Sequence, residues 1–566
     1  MTTHFIFNRS RCRMAALCLS LAQAFAATQT PATPQEAASG GNYRIAGTVV
    51  SKLDGHPLAR ARVTARDAKD PQKFASVVTA EDGKFEFTAV PAGKFDLHGA
   101  KRGFIQSSYD QHEQFSTAIV TGAGLDTEDL VLRLAPTAII SGKILDESGD
   151  PVRSATVTLY YDDHSSGVDQ IRQYRGAQTD DQGSYEIPGV TPGIYFLSVS
   201  ARPWYAVHPN SNPPDAPANG KPAGTANTDT PSFDRSLDVA YPVTYYSDVT
   251  DADSATPIPI RGGERLQVEL HLNPVPSLHL LFRVPNNGEK GGFFPRLEQS
   301  AFDCSTFLPN DGIRMLSPGL VEITGVPAGR YNIRLAGPGG ALQMKGVDLT
   351  KDGEEIDTSK AEALSTVKVS VQAPGEATPP PNLMVGLRSG SRVFTGVQPF
   401  NPKGEAELAQ IAAGRYDVLV WGSNKPYSIA HISAEGAEVS GHSLTVTAGS
   451  SPSVSLTVVG GSLNVEGTAQ RAGKPFAGAM VVLVPKNPEG NRGLFRRDQS
   501  DLDGTFNLQN VVPGSYTVLA IENGWDLDWS QPGVIAVYVN RGRSIEVGNH
   551  FGRTMKLSEA VEVQSK

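Results

Sequence analysis

Five times along this chain a glycine is followed ten residues later by a second glycine, and an aromatic ring stands two residues beyond that. The copies run from Gly83 to Gly93-Lys-Phe95, from Gly183 to Gly193-Ile-Tyr195, from Gly319 to Gly329-Arg-Tyr331, from Gly404 to Gly414-Arg-Tyr416 and from Gly504 to Gly514-Ser-Tyr516. An aliphatic residue sits seven after the first glycine each time, as Val90, Val190, Val326, Ile411 and Val511. Repetition at fixed spacing is the signature of a chain built from copies of one supersecondary unit. Within each copy, apolar residues two and four after the first glycine alternate with polar ones, so one face of a strand is buried. Asp82, Gln182, Pro318 and Asp503 place a turn before it, where the first glycine supplies a positive φ. Pro91, Pro192, Pro327 and Pro513 place a second turn after it, and the aromatic opens the next strand. The fourth copy is the weakest, with Ala406 at an apolar position and no proline.

Three copies carry an upstream half. Ile45-Ala-Gly47-Thr-Val49 leads through Asp54-Gly55 to Pro57 and Ala61-Arg-Val63. Ile140-Ser-Gly142-Lys-Ile144 leads through Gly149 to Pro151 and Ala155-Thr-Val157, and Val465-Glu-Gly467 through Gly473 to Pro475 and Ala479-Met-Val481. Seven or so short strands per roughly 100 residues, separated by turns, predict a β-sandwich. The whole pattern, G-x-V, G-x-P-x-x-x-A-x-V, T-D-x-x-G-x-[FY] and V-x-P-G-x-Y-x-L, resembles the carboxypeptidase regulatory-like domain. That resemblance implies a transthyretin-like or Ig-like sandwich, related to collagen-adhesin B repeats and starch-binding-like modules, and a role accessory to something else.

The expected architecture is therefore all-β, a tandem array of about five sandwich modules at residues 42–135, 136–275, 276–362, 363–455 and 456–566. The second is longer because 207–239, rich in proline, asparagine, serine and threonine, reads as an inserted loop. Residues 1–26 read as an export signal: Arg9, Arg11 and Arg13, then an apolar stretch from Met14, then Ala24-Phe25-Ala26 as the cleavage pattern. Residues 27–41 read as a linker. Cys12 and Cys18 fall in the signal, leaving Cys304, so neither an internal disulfide nor a cysteine-based zinc site is expected. No later run is long and apolar enough to span a bilayer. The expected location is periplasmic, outer-surface or extracellular.

A formal net charge of −9 argues against nucleic acid as a partner, since phosphate binding favours a basic surplus. H-E-x-x-H and G-x-S-x-G are both absent, so no enzyme, cofactor or metal is expected. His112-Glu113 is an isolated pair that reads as surface decoration. Asp501-Leu502-Asp503-Gly504 starts like a calcium loop, but Val512 stands where the bidentate glutamate belongs, so it reads as a turn. The lysine–asparagine crosslink of adhesin repeats has no counterpart: His98, Ser198, Arg334, Leu419 and Leu519 follow the aromatic strand.

An aromatic stands eleven after the second glycine in three modules: Phe104, Trp204 and Trp525, extended by Tyr205 and Trp529. If 525–529 is extended, Trp525, Leu527 and Trp529 share one face and Asp526 and Asp528 the other. Indoles beside carboxylates suit a sugar ring, whose C–H face is apolar; the same aromatics equally suit a cap over each core. Tyr241, Tyr245 and Tyr246 carry the same two readings. The chain is expected to be a non-catalytic exported binding protein for polysaccharide or cell-envelope components, with Trp204, Tyr205, Trp525, Trp529, Asp526 and Asp528 as carbohydrate contacts. The competing reading is a passive spacer, adhesion stalk or accessory protein of the envelope.

Overall fold

The computed structural model describes residues 43–566 except 123, 166, 168–169, 209–233, 285–292, 303, 309–311, 338–339, 375–379, 390–393, 423–426, 461–462 and 549–553. The expected export signal, the linker and most of the proline-rich insertion lie outside the described residues.

Each repeat folds the same way. In the first, strands Lys84–Val90, Tyr43–Ser51 and Leu130–Leu134 form one sheet. Strands Phe74–Val78, Arg62–Asp67 and Gly93–Ala100 form the facing one, extended by Ile119–Thr121. Alternate residues meet between the sheets, including Ile45, Val63, Phe85, Leu97 and Leu132. In all five repeats the opening strand runs antiparallel to the strand after the first glycine and parallel to a closing strand. Four further cores, centred on Ile140, Leu280, Val369 and Val465, complete the array of sandwiches. The one α-helix among the described residues is Pro532–Val539, about two turns long.

The motif residues do mechanical work. Gly83, Gly183, Gly319, Gly404 and Gly504 all lie between φ +69° and +86°, a region costly for residues with a Cβ. The carbonyl of each accepts the N–H of Val49, Ile144, Val284, Val371 or Ala469 at 2.7–2.9 Å, tying the turn to the opening strand. The strand between the glycines then bulges. Ala89, Gly189, Gly325, Gln410 and Asn510 all have positive φ, and the pairing slips by one residue beside each. Strict alternation would aim these residues inward. The extra residue turns the following aliphatic inward instead, so Val90, Val190, Val326, Ile411 and Val511 are all buried.

Phe95, Tyr195, Tyr331, Tyr416 and Tyr516 are buried as expected. A Cβ on the second glycine would touch each ring at 3.4–3.6 Å, so the small residue makes room for the ring to fold back beneath it. The four tyrosine hydroxyls donate to the carbonyl four residues earlier, Thr191, Pro327, Ala412 and Val512, at 2.7–2.8 Å. In the first module the ring is Phe95, and the Thr121 hydroxyl donates to the matching Pro91 carbonyl at 2.6 Å. The buried hydroxyls of Thr79, Thr179 and Ser500 clamp the proline loops. Each donates to one loop carbonyl, of Leu58, Val152 or Phe476, and accepts the N–H of Ala61, Ala155 or Ala479.

Candidate functional site

Module 5 buries both faces of its second sheet. Every residue of strand Met480–Pro485 is buried. Val481 and Leu483 face the sandwich core; Met480, Val482 and Val484 face outward under a cover made by Trp525, Leu527, Trp529 and the helix residues Ile535, Tyr538 and Val539. The expected shared face of Trp525, Leu527 and Trp529 therefore exists, but it turns inward. Sheet residues on that side are apolar, and the hydrophobic effect draws the rings down onto them. Gly524–Asp526 is a 3-10 turn rather than extended chain.

Modules 1 and 2 close over the same place. His112 stacks on Trp525 with ring centroids 5.0 Å apart and planes 8° apart, and Phe115 lies on it at 5.7 Å. The reading of His112-Glu113 as surface decoration is thus corrected: both are contacts to module 5. Arg497 organises the junction. Its guanidinium donates to both carboxylate oxygens of Glu113, at 3.1 and 2.6 Å, and to the Ser165 carbonyl of module 2 at 2.9 Å. It also lies over the rings of Phe115, Trp525 and Trp529, the last at 4.1 Å. A planar fork that is weakly hydrated and stacks on rings suits this position; an ammonium would not. From module 2, Gly167 accepts the N–H and the hydroxyl of Ser530.

The turn at 501–504 is a docking loop. Lys94 Nζ donates to Asp501 at 2.5 Å, Asp501 accepts the Ala118 N–H at 3.0 Å, and the Leu502 N–H donates to the Ala118 carbonyl at 3.1 Å. The Leu502 side chain packs against the core of module 1. Gln499 adds bonds to the Asp110 carbonyl and the Thr117 hydroxyl. Burial raises the Asp501 carboxyl above its ordinary range, with Lys94 opposing.

Beside this junction opens a cleft of about 610 Å³, within the usual range for ligand sites. Phe115, Phe495 and Trp529 supply its rings, and Arg388, Arg492, Arg496 and Arg497 its cations. Asp498 is the carboxylate in the lining. Burial pushes its carboxyl up to about 7, while N–H groups of Asn507 and Gln499 favour the charged form. Since the folded state keeps this proton to higher pH than the unfolded chain does, stability falls as pH rises from about 4 to 7. Asp498→Asn is expected to remove that part of the slope and to raise the melting temperature at pH 8 by about 2–4 °C. Melting curves at pH 5 and 8 check both.

The other expected contacts are scattered. Trp204 is 86% exposed and meets Tyr205 edge-on at 5.9 Å. The Tyr205 hydroxyl donates to Glu147, which also accepts from Tyr241 at 3.1 Å; burial and this carboxylate push the Tyr205 hydroxyl up to about 12. Tyr241 and Tyr245 are buried, and Phe104 packs against the first core. Asp526 pairs with Lys566, and Asp528 accepts from Gln531 at 2.9 Å. Among the described residues no three His, Cys, Asp or Glu side chains gather as a metal site, and no helix is long and apolar enough to cross a membrane.

Residues 44–127 and 139–210 match the family model of the carboxypeptidase regulatory-like domain. The first two modules are carboxypeptidase regulatory-like domains. Both matches cover the Gly-turn, bulge and buried-ring unit described above, and the first includes the 110–118 segment through which this regulatory-like domain grips module 5. No curated protein matches the chain. Similar solved structures include the Bacillus anthracis TIE protein, 11% identical over 75% of each chain with a TM-score of 0.16. The streptococcal ancillary pilin is 12% identical over 56% of this chain and 98% of its own, at 0.19. BcpA, the major pilin subunit of Bacillus cereus, is 10% identical over 75% of this chain and 99% of its own, at 0.15.

Proposed function

We propose that this chain is a non-catalytic, exported binding protein, and that its ligand is a carbohydrate held in the cleft beside the junction of modules 1, 2 and 5. The observation that carries this reading is the lining of that cleft, where three aromatic residues stand among side chains rich in hydrogen-bonding groups, including Gln114, Asn507 and Gln509. Flat rings take the C–H face of a pyranose, and amides and guanidinia take its hydroxyls. Trp529 keeps a place in this reading, at the cleft wall rather than on an open platform. The passive spacer draws less support from the geometry: a stalk gains length by stacking modules end to end, and here module 5 docks onto modules 1 and 2. The test is a glycan array probed with the chain from residue 27 onward. Retention of a restricted set of glycans, weakened by Gln509→Ala at an exposed cleft position, is expected. A folded chain that retains none overturns the reading.

A further inference from the structure

We infer that the cleft takes an anionic glycan, a polysaccharide bearing carboxylate, sulfate or phosphate groups; this deepens the carbohydrate reading above and rests on it. The argument is an accounting of charge. Acidic residues outnumber basic ones over the whole chain, 59 to 50, yet the cleft gathers four arginines against one carboxylate in its lining.

Two of the four are engaged. Arg497 is held by Glu113 and by the rings around it. Arg388 reaches Asp417 through Nη2 at 3.2 Å. The other two have no carboxylate partner. Arg496 donates through Nε to the Asn510 carbonyl at 2.8 Å, and through Nη1 to the carbonyls of Gly493 and Phe495 at 2.8 and 2.7 Å. Neutral acceptors hold that guanidinium in place and leave its charge uncompensated. The Arg492 side chain has no hydrogen-bond or ion-pair partner among the described residues and is exposed.

Arg492 also lines an adjoining hollow of about 450 Å³, together with Arg415. Arg415 donates to the Glu489 carbonyl at 3.2 Å and likewise has no carboxylate partner. Pro532 and Gly533 line the same hollow. They open the helix, whose cap residue Gln531 turns its side chain to Asp528 and makes no capping bond to the helix N–H groups, so the partial positive charge of the helix start faces that space too. Asp417 and Glu489 belong to this hollow as well. Asp417 is occupied by Arg388 and by the Ser443 hydroxyl at 2.9 Å. The Glu489 carboxylate, exposed and without an ion-pair partner among the described residues, is the free anion of that hollow. The cations without a carboxylate partner, Arg496, Arg492 and Arg415, outnumber it along a track across the two adjoining hollows. A track suits a chain of charged sugars better than a single ion, and guanidinium forks match carboxylate, sulfate and phosphate groups alike.

The experiment is affinity electrophoresis of the same chain in gels containing acidic polysaccharides (polygalacturonate, alginate, hyaluronate, dextran sulfate) or neutral ones (methyl-esterified pectin, dextran, xylan). Retardation by at least one acidic polymer and by none of its neutral counterparts is expected. Arg492→Ala and Arg415→Ala, both at exposed positions, should each weaken it roughly 10-fold without moving the melting temperature, and raising the salt should weaken it further. Equal retardation by esterified and free pectin, or no effect of Arg492→Ala, overturns the anionic assignment and leaves the carbohydrate reading standing. Displacement of the polymer by an equal concentration of inorganic phosphate marks a simple anion site and overturns the glycan. Retardation by no polysaccharide overturns both.

Discussion

Arg497→Ala is expected to uncouple module 5 from modules 1 and 2, at a cost of about 3–5 kcal/mol to their docking. The Arg497 side chain is only 4% exposed. Its loss removes a two-point bond to Glu113, the bond to Ser165 and the charge over three rings at once. Glu113, itself mostly covered, is left without that partner. Arg497→Lys should recover little, because an ammonium cannot reproduce the fork. Calorimetry of the full chain gives the readout. Modules that unfold together in the wild type should separate into an earlier and a later transition in Arg497→Ala. The sandwich core of module 5 has its own residues and should keep its own transition.

Tyr516→Ala should destabilise module 5 by about 3–5 kcal/mol, the usual range for emptying a large aromatic site in a core. Tyr516→Phe should cost about 1–2 kcal/mol, because the Val512 carbonyl then loses its donor. Module 1 shows how the loss can be repaired. There the ring is a phenylalanine, and the donor is Thr121, paired with Gly93 across the sheet. The residue paired with Gly514 in module 5 is Val547. Adding Val547→Thr to Tyr516→Phe is therefore expected to restore most of the lost stability. Thermal melts of the two variants decide it; a second substitution that brings no recovery contradicts this account of the buried ring.

Much of this molecule is legible from short-range pattern. The positive φ of Gly83 and its four counterparts follows from glycine after a turn former. The burial of Tyr195 and its counterparts follows from a ring at one register in a period-two strand. The bulge was encoded as well, in the odd spacing of seven between Gly83 and Val90. Two-residue alternation cannot join apolar positions at offsets of two, four and seven without an inserted residue, and the varied residues at the bulge itself, Ala89, Gln410 and Asn510 among them, conceal it. The helix Pro532–Val539 was hidden by its composition. Its residues are apolar nearly all round, and four of its eight are valine or isoleucine, a run that reads as strand.

The candidate site was less legible, for a different reason. Alternation places Trp525, Leu527 and Trp529 on one face but does not say which way the face turns. That direction is set by Met480 and Val482 on a strand more than forty residues earlier. His112 and Glu113 look isolated because their partners, Trp525 and Arg497, lie hundreds of residues away. No local periodicity carries such a contact. The unpaired state of Arg492 and Arg496 is likewise a property of their surroundings and leaves no trace in the sequence beside them.

Disulfide trapping between module 1 and module 5 tests the central claim, that the chain closes on itself to build this junction. Cysteines at Ala118 and Leu502, neighbours joined by a backbone hydrogen bond of 3.1 Å, are introduced into the chain from residue 27 onward carrying Cys304→Ser, which removes its remaining thiol. Mild oxidation should give a monomer that migrates faster without reductant, in high yield at low protein concentration, with Arg497→Ala lowering the yield. A chain that stays uncrosslinked, or that links only into dimers, would contradict the closed arrangement and with it the cleft.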